Sequence, residues 1–252
     1  MAVSSSQINL TWTALTPPSN CSITYSVFRS TTPTASLSPG FITYEGIKSS
    51  VRSDIVDKDC RLTIFVLAGG RSTRMGTDKA FLELEGRTLL ARTLELAASL
   101  GSPAKIVGDP QKFSRFGQVV EDIYHDHGPL GGIQAALAST ATELNLILAV
   151  DLPFLRPEFL QYLISRARET SAVVTIPQAG GGLQPLCAVY RSAFLPISER
   201  SLRAGKNKID ALFAEVETRV IDEHEIRNAG FGEGIFHNVN TPDDWNTAQA
   251  EL

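Results

Sequence analysis

The chain has 252 residues, 43% of them hydrophobic and 20% charged, which is typical of a globular protein with a sizeable core and excludes a disordered one. The formal net charge of −4 argues against a nucleic-acid-binding protein, because such proteins usually carry a basic excess that neutralises phosphates. We therefore expect no nucleic acid partner. The net charge does not exclude small anionic substrates, since a local group of Arg and Lys can bind phosphate on an acidic protein.

The cysteines and the hydropathy pattern favour a cytoplasmic protein. Cys21, Cys60 and Cys187 lie far apart, a spacing that suits neither a disulfide scaffold nor a zinc site. No apolar stretch approaches the roughly 18 residues that indicate a membrane span. No basic region followed by an apolar run indicates a signal peptide. We expect a reducing cytoplasm and no membrane partner.

Residues 1–60 are rich in Ser, Thr and Pro and lack helical periodicity. Alternation of β-branched or aromatic residues with polar ones predicts strands at Ile8–Ala14 and Ile23–Ser30. This pair resembles the early strands of a fibronectin type III domain, over about residues 1–45. Such a sandwich needs about seven strands and ~100 residues, and nothing in 41–60 supplies the rest. We predict an N-terminal extension that is a partial fibronectin type III-like domain or disordered; a fusion remnant, a misplaced start and a purposeful extension all stay open.

Residues 61–252 show alternating strand and helix patterns. Two segments, LTIFVLA and LNLILAV, are apolar throughout, which is typical of strands buried on both faces of a parallel sheet. The pattern predicts a three-layer, Rossmann-like α/β domain with a mostly parallel sheet, whose ligands bind beyond the carboxyl ends of the strands. The predicted strands are Leu62–Ala68, Lys105–Val107, Gln118–Val120, Leu144–Val150, Ala172–Ile176, Leu186–Tyr190 and Phe236–Val239, and the predicted helices are Thr88–Leu100, Gly131–Ser139, Pro157–Glu169, Ser192–Ala204, Lys208–Ala214 and one from Pro242.

A glycine-rich loop, LAGGRSTRMGTDK, follows the first buried strand. Gly69 and Gly70 allow the backbone to approach a bulky anion and to offer N–H groups to phosphate oxygens. Arg71, Arg74 and Lys79 add three positive charges to the same loop. The spacing fits neither the Walker A loop nor the dinucleotide-binding GxGxxG motif. We predict a triphosphate-binding loop; the alternative is a surface turn with solvated charges.

The segment LAGGRSTRMGTDKAFL resembles the signature of the MobA-like nucleotidyltransferase family, which includes molybdenum cofactor guanylyltransferases. The later motifs extend the resemblance over about residues 61–252, and it implies the nucleotidyltransferase fold. By position it implies that Leu67, Ala68 and Gly69 hold the purine, that Gly70 belongs to the nucleotide-binding loop, that Lys79 binds the phosphates and that Arg74 helps to neutralise them.

Two carboxylates follow predicted strands. Asp151 directly follows the LNLILAV segment and precedes Leu-Pro-Phe. At that edge of the sheet it can ligate Mg²⁺, which takes one or two carboxylates together with phosphate oxygens. The alternative is a helix cap, although Pro153 and Pro157 leave several residues before the next helix. The resemblance implies the metal role for Asp151 and a nucleotide contact for Asp122, which from the residues alone is equally a turn aspartate. The GPLGGI segment at residues 128–133 then opens a helix whose N-terminus favours anions.

The later motifs concern the base and the acceptor. The family often has Asn after the second strand, where this chain has Gly108, so base selection is less determined; the second Gly of LAGG favours guanine. The QPLCAVY segment resembles the strand that lines the acceptor pocket, which implies acceptor contacts for Gln184 and Pro185. The NVNTPDD segment resembles the closing family motif. Its alternation predicts that Asn238 and Asn240 face the active site, whereas Thr241 and Pro242 form a helix start.

The resemblance implies that the chain transfers GMP from GTP to the terminal phosphate of molybdenum-bound molybdopterin and releases pyrophosphate. Mg²⁺ is the expected cofactor, and Arg74, Lys79 and Asp151 are the expected catalytic residues. GTP and molybdopterin are the expected substrates, with molybdopterin-synthesis enzymes or molybdoenzymes as protein partners. The alternatives are a CTP-dependent molybdopterin cytidylyltransferase, a sugar-phosphate nucleotidyltransferase, a non-catalytic GTP-binding protein that delivers cofactor and, from residues 1–60, an exported adhesive protein.

Overall fold

A computed structural model describes residues 26–29, 41–44, 47–52, 62–69, 78–124, 127–239, 241, 244 and 245. The N-terminal part contains an antiparallel sheet of order β1-β3-β2, formed by β1 (Ser26–Arg29), β2 (Phe41–Tyr44) and β3 (Ile47–Arg52).

The N-terminal strands agree only in part with the sequence prediction. Predicted strand Ile23–Ser30 contains β1, and predicted strand Ile8–Ala14 lies outside the described residues. Residues 41–52 contain two strands, β2 and β3, that the sequence pattern does not predict. Only two residues separate these strands, which is the spacing of a tight β-hairpin.

The C-terminal part alternates strands and helices. Its strands are β4 (Leu62–Leu67), β5 (Glu83–Leu84), β6 (Arg87–Thr88), β7 (Ala104–Val107), β8 (Val119–Val120), β9 (Leu144–Ala149), β10 (Val174–Ala179), β11 (Gly182–Leu183), β12 (Cys187–Arg191) and β13 (Thr218–Ile221). Its helices are α1 (Leu89–Ser99), α2 (Pro110–Phe113), α3 (Pro129–Ala138), α4 (Pro157–Arg168), α5 (Leu195–Arg203) and α6 (Glu223–Asn228). No helix of the described ranges combines the length and the apolar composition needed to cross a membrane.

An eight-stranded sheet organises the described C-terminal residues. Its order is β11-β10-β12-β9-β4-β7-β8, and β13 pairs with β10. β11 and β12 run against the other strands, which are parallel to one another, so the predicted mostly parallel sheet is confirmed. The register pairs Leu67 of β4 with Val107 of β7 and with Ala149 of β9. The residues that follow these three strands therefore meet at one edge of the sheet.

Two separate hydrophobic cores cover the faces of the sheet. Ile64 and Val66 of β4 point into a core with residues of α1 and α4, whereas Phe65 and Leu67 point into a second core with α3 and α5. This follows from strand geometry, in which successive side chains point to opposite faces. The three-layer architecture is confirmed, and it explains why every residue of β4 and β9 is buried.

Several local elements differ from the sequence prediction. The predicted strand Phe236–Val239 is wrong: a 3₁₀ helix spans Glu233–Phe236, and residues 237–239 are not in a strand. The predicted helix Lys208–Ala214 is a 3₁₀ helix at Asp210–Glu215. The prediction also omits β13 and α6. Their segments are short, and their partners lie far away along the chain.

Side-chain contacts with β13 and α4 hold α6 in place. Both carboxylate oxygens of Glu225 on α6 accept from Arg219 Nη2 of β13, at 2.7 and 2.6 Å. The Tyr162 hydroxyl of α4 donates to Glu225 Oε1 at 3.0 Å. Burial, followed by Glu225, raises the pKa of Tyr162 to about 12. A six-residue helix is unstable alone, so these contacts decide its position.

Polar groups stabilise the amino-terminal edge of the sheet, opposite the edge where the glycine-rich loop begins. Asn145 of β9 has no solvent exposure. Its Nδ2 donates to the carbonyls of Thr142, Glu143 and Tyr190 at 3.1, 3.4 and 3.3 Å, and its Oδ1 accepts from Thr142 Oγ1 at 2.9 Å. One buried amide thus links β9 to β12 and to the turn before β9.

Arg191, at the end of β12, has a similar role at the same edge. Its guanidinium donates to the carbonyls of Ala167, Thr170 and Ala172 and forms an ion pair with Glu143 at 3.2 Å. These contacts join β12 to the end of α4 and to the turn before β9. The amino-terminal edge is therefore a structural region, held by side chains that bond backbone carbonyls.

We expect Asn145→Ala to lower the free energy of unfolding by about 2–3 kcal/mol, because buried carbonyl groups lose their donor. Chemical denaturation monitored by circular dichroism measures this change. Asn228→Ala, on the exposed surface of α6, is the control and should change stability by less than about 0.5 kcal/mol. An Asn145→Ala protein as stable as this control would contradict the assigned role.

Candidate active site

The end of β4 lies against the end of β7. Ala68 N and Gly69 N both donate to the Val107 carbonyl, at 3.0 and 3.2 Å. The predicted purine-contacting residues Leu67, Ala68 and Gly69 therefore lie at the carboxyl edge of the sheet, between these strands. Because the amides of Ala68 and Gly69 already bond to β7, amides that bind phosphate would come from later in the loop.

The loop that follows lies outside the described residues, so Gly70, Arg71 and Arg74 have no structural description. The structure continues at Asp78. Asp78 caps a 3₁₀ helix at Lys79–Phe81, with its Oδ1 accepting from Ala80 N at 3.2 Å.

Two charged side chains meet at this edge. Lys79 Nζ lies 3.7 Å from Asp151 Oδ2, and both side chains are about four-fifths buried, with 20% and 22% exposure. Burial raises the pKa of Asp151, and the positive charge of Lys79 only partly opposes the effect. The ionised carboxylate is thus poorly solvated, and a cation at this position would be electrostatically stabilised. Two of the three predicted catalytic residues, Lys79 and Asp151, thus come together from segments 72 positions apart.

A side chain at position 108 would collide with a buried aromatic ring. Gly108 follows β7, is buried, and its N–H donates to the Val120 carbonyl at 3.0 Å. A Cβ at Gly108 would lie 2.8 Å from Phe113 Cε2 and 3.4 Å from Gly69 N. The Phe113 ring, only 1% exposed, therefore occupies the space that a side chain at position 108 would need.

Asp122 lies at the first turn of α3. Its Oδ1 accepts from Tyr124 N at 2.8 Å. A Cβ at Gly131 would lie 2.9 Å from Asp122 Oδ2 and 3.0 Å from Oδ1, so the carboxylate packs against the helix N-terminus, which favours negative charge. The turn role of Asp122 is present in the structure; its contact with a nucleotide stays a prediction.

The predicted acceptor residues lie between β11 and β12, near the same edge. Gln184 Nε2 donates to the Ala179 carbonyl at 3.1 Å, and the Pro185 carbonyl accepts from the Tyr190 hydroxyl at 2.9 Å. The register pairs Cys187 of β12 with Leu148 of β9, close to Asp151. These contacts fix the segment on β10 and β12, and an acceptor contact stays a prediction.

The closing segment lies directly beside Asp151. Val239 N donates to the Asp151 carbonyl at 3.0 Å, and the Val239 side chain is buried. Asn238 is exposed, and Asn240 lies outside the described residues. The predicted helix start is confirmed at Thr241 and Asp244, whose side chains each accept from the other's backbone N–H, at 3.1 and 2.8 Å.

The described residues contain no cluster of three His, Cys, Asp or Glu side chains that could hold a metal. The metal ligand that the sequence predicts is Asp151 alone. This fits Mg²⁺ at a phosphate-transfer site, where the ion takes one or two carboxylates and completes its octahedron with water and substrate phosphate.

Comparison with known proteins identifies the family. The family model described as the MobA-like NTP transferase domain matches residues 64–220. The chain belongs to this family. It is therefore a nucleotidyltransferase, and the predicted resemblance is confirmed.

Relatives and solved structures agree with this assignment. The probable molybdenum cofactor guanylyltransferase of Pelotomaculum thermopropionicum is 36% identical over 181 residues, which cover 71% of this chain and 87% of the relative. The molybdenum cofactor guanylyltransferase of Desulfosudis oleivorans is 33% identical over 194 residues, with coverage of 76% and 96%. The crystal structure of molybdopterin-guanine dinucleotide biosynthesis protein A from Archaeoglobus fulgidus matches with a TM-score of 0.68 at 26% identity. The match covers 75% of this chain and 97% of the Archaeoglobus fulgidus chain. The predicted nucleotidyltransferase fold is confirmed.

Several contacts that shape the site of this MobA-like domain are not predicted from the sequence. Asp78 and Lys112 form an ion pair at 2.9 Å, and Phe81 stacks on Phe113 with ring centroids 5.7 Å apart. Val239 bonds to the backbone of Asp151. One member of each pair lies in a quoted motif, but its partner is far away along the chain, so no local pattern predicts the contact. Among these positions only Gly108 is noticeable in the sequence, because the family often has Asn there.

We expect Gly108→Ala to destabilise the protein by about 1–3 kcal/mol, because the new Cβ forces the buried Phe113 ring to move. Chemical denaturation measures the effect. The control is Gly232→Ala, since a Cβ there meets nothing within 4 Å and its φ of −84° suits any residue. Adding Phe113→Leu should recover part of the loss; equal stability of Gly108→Ala and the control would contradict the steric conflict.

Proposed function

We propose that the chain transfers GMP from GTP to the terminal phosphate of molybdopterin, which forms the guanine dinucleotide cofactor and releases pyrophosphate. The observation that carries the proposal is the pairing of Lys79 and Asp151 at the carboxyl edge of the sheet, beside the glycine-rich loop. Relatives at 30–36% identity that are named molybdenum cofactor guanylyltransferase support the choice of nucleotide and acceptor.

The reaction needs little acid–base chemistry from the protein. An oxygen of the molybdopterin phosphate attacks the α-phosphorus of GTP, a new P–O bond forms, and the bond to the bridging oxygen of the β-phosphate breaks. The attacking phosphate is already an anion, so no strong base is required. The leaving pyrophosphate takes the electron pair. Catalysis thus depends on holding the groups in place and on neutralising their charge.

Lys79 and Asp151 would divide this task. Lys79 would neutralise the phosphates of the bound nucleotide, together with Arg74 from the loop. Asp151 would hold Mg²⁺, and this ion supplies charge neutralisation at the phosphate oxygens when it is bound. Lys79, close to Asp151, compensates its charge in the absence of substrate.

We place the reaction in the cytoplasm, where reduced thiols such as the buried free Cys187 are stable. Molybdopterin-synthesis enzymes and molybdoenzymes are the proposed protein partners, since one supplies the acceptor and the other uses the product.

The choice of nucleotide base is a separate part of the proposal. Gly108 cannot bring a side chain to the base, so recognition of guanine would rely on the segment Leu67–Gly69 and on backbone groups. A cytidylyltransferase is the alternative that this feature leaves open. Pyrophosphate release measured in parallel with GTP and CTP, with molybdopterin as acceptor, tests the proposal: GTP should be preferred, and a preference for CTP would overturn the nucleotide assignment.

Lys79→Ala should lower the turnover number about 10²–10³-fold, as loss of one well-placed electrostatic donor does in other enzymes. The measurement is pyrophosphate release at saturating GTP and molybdopterin. Arg87→Gln removes an exposed cation that pairs with Glu95 outside the site, and should keep full activity. Normal turnover by Lys79→Ala would exclude the assigned role.

Asp151→Asn should separate activity from stability. The neutral amide keeps the shape of the side chain but loses the charge whose burial is unfavourable, so the free energy of unfolding should stay equal or rise. Activity should fall at least about 10²-fold, because the metal loses its carboxylate ligand. Thermal denaturation without ligands and a Mg²⁺ titration of activity measure the two effects. Full activity with an unchanged Mg²⁺ requirement would contradict the metal role.

A further inference from the structure

α2 packs against the turn that carries Lys79. It begins two residues after Gly108, with Asp109 capping it through Gln111 N at 2.8 Å. At its other end, the Phe113 ring stacks on Phe81, with centroids 5.7 Å apart and planes 28° apart. Phe81 is the last residue of the 3₁₀ helix that Lys79 begins. The position of the Lys79 turn therefore depends on α2, which is remote from it in sequence.

Asp78 makes two contacts at the start of the same turn. Its Oδ1 caps the turn by accepting from Ala80 N at 3.2 Å. Its Oδ2 accepts from Lys112 Nζ of α2 at 2.9 Å. The hydrogen bond to Asp78 is the main cause of the raised pKa of Lys112, followed by the charge of Asp78. One carboxylate therefore both caps the Lys79 turn and binds it to α2.

The charge of Asp78 would be unfavourable beside a bound triphosphate. Asp78 immediately precedes Lys79, at the end of a loop that the proposed function assigns to a triphosphate. An uncompensated carboxylate there would repel the phosphates and compete with them for Lys79. Lys112 supplies the compensating charge from outside the loop, with its side chain half exposed.

We propose that Lys112 is a positioning residue for nucleotide binding: through Asp78 it fixes the turn that carries Lys79 and cancels the carboxylate charge beside the phosphates. The inference rests on the proposed function, because it requires a nucleoside triphosphate at the Lys79 loop. Lys112 acts through Asp78 and need not touch the substrate.

The test compares Lys112→Met with wild type in the full chain. The KM for GTP should rise about two- to fivefold, the range that corresponds to the coupling energy of exposed ion pairs, and kcat should stay close to wild type. Lys112→Arg, which keeps the charge, should restore most of the KM. The difference should shrink at about 1 M salt, where the screening length is ~3 Å.

A double variant isolates the pathway through Asp78. Asp78→Asn removes the charge, while its amide oxygen can still accept from Ala80 N. The effect of Lys112→Met on KM should therefore disappear in the Asp78→Asn background. A merely structural role would lower the fraction of folded enzyme, and with it the apparent kcat, without this dependence on residue 78. Arg87→Gln is the matched control for loss of an exposed ion pair.

Equilibrium binding of Mg·GTP, measured by calorimetry on the same variants, distinguishes failure of this proposal from failure of the proposed function. A wild-type protein that binds GTP but releases no pyrophosphate would overturn the proposed reaction, while weaker binding by Lys112→Met would still support the role of Lys112. Any of three results would overturn the role of Lys112. Lys112→Met would bind Mg·GTP as tightly as wild type, its effect would persist in the Asp78→Asn background, or wild type would not bind Mg·GTP.

Discussion

The pairing of Lys79 with Asp151 is the interaction on which the site depends. The parallel register of β4 and β9, which places Leu67 beside Ala149, brings the residues that follow both strands to one edge of the sheet. There a carboxylate and an ammonium group lie 3.7 Å apart in a largely buried position. Burial opposes the charged form of Asp151, so the site favours cations. A family that transfers nucleotides needs such a position, because polyphosphate chemistry concentrates negative charge.

The two edges of the sheet serve different purposes. At the amino-terminal edge, Asn145 and Arg191 direct their donors to backbone carbonyls and join β9, β12 and α4. At the carboxyl edge, backbone bonds such as Val239 N to the Asp151 carbonyl hold the segments, and Lys79 and Asp151 lie there as a largely buried charged pair.

The region around α2 links the end of β7 to the turn that carries Lys79. Gly108 follows β7, and the Phe113 ring fills the space that a side chain there would need. The same ring packs on Phe81, and the neighbouring Lys112 pairs with Asp78. The absence of a side chain at position 108 is therefore linked to the packing that supports the Lys79 turn. Replacing this glycine with the asparagine that the family often has would disturb both.

The sequence alone indicated the layered α/β fold, the order of the main elements and the family, and it marked Lys79 and Asp151 as candidate site residues, since apolar runs and the glycine-rich motif are local signals. That these two side chains pair was visible only in the tertiary structure. The sequence also indicated the helix start at Thr241. Only the tertiary structure decided the reversed strand β12, the placement of β13 and α6, and the absence of a strand at 236–239, because these depend on partners far away along the chain. The same holds for Lys112: its pairing with Asp78 spans 34 positions, and no local pattern encodes a contact that exists only after the sheet has assembled.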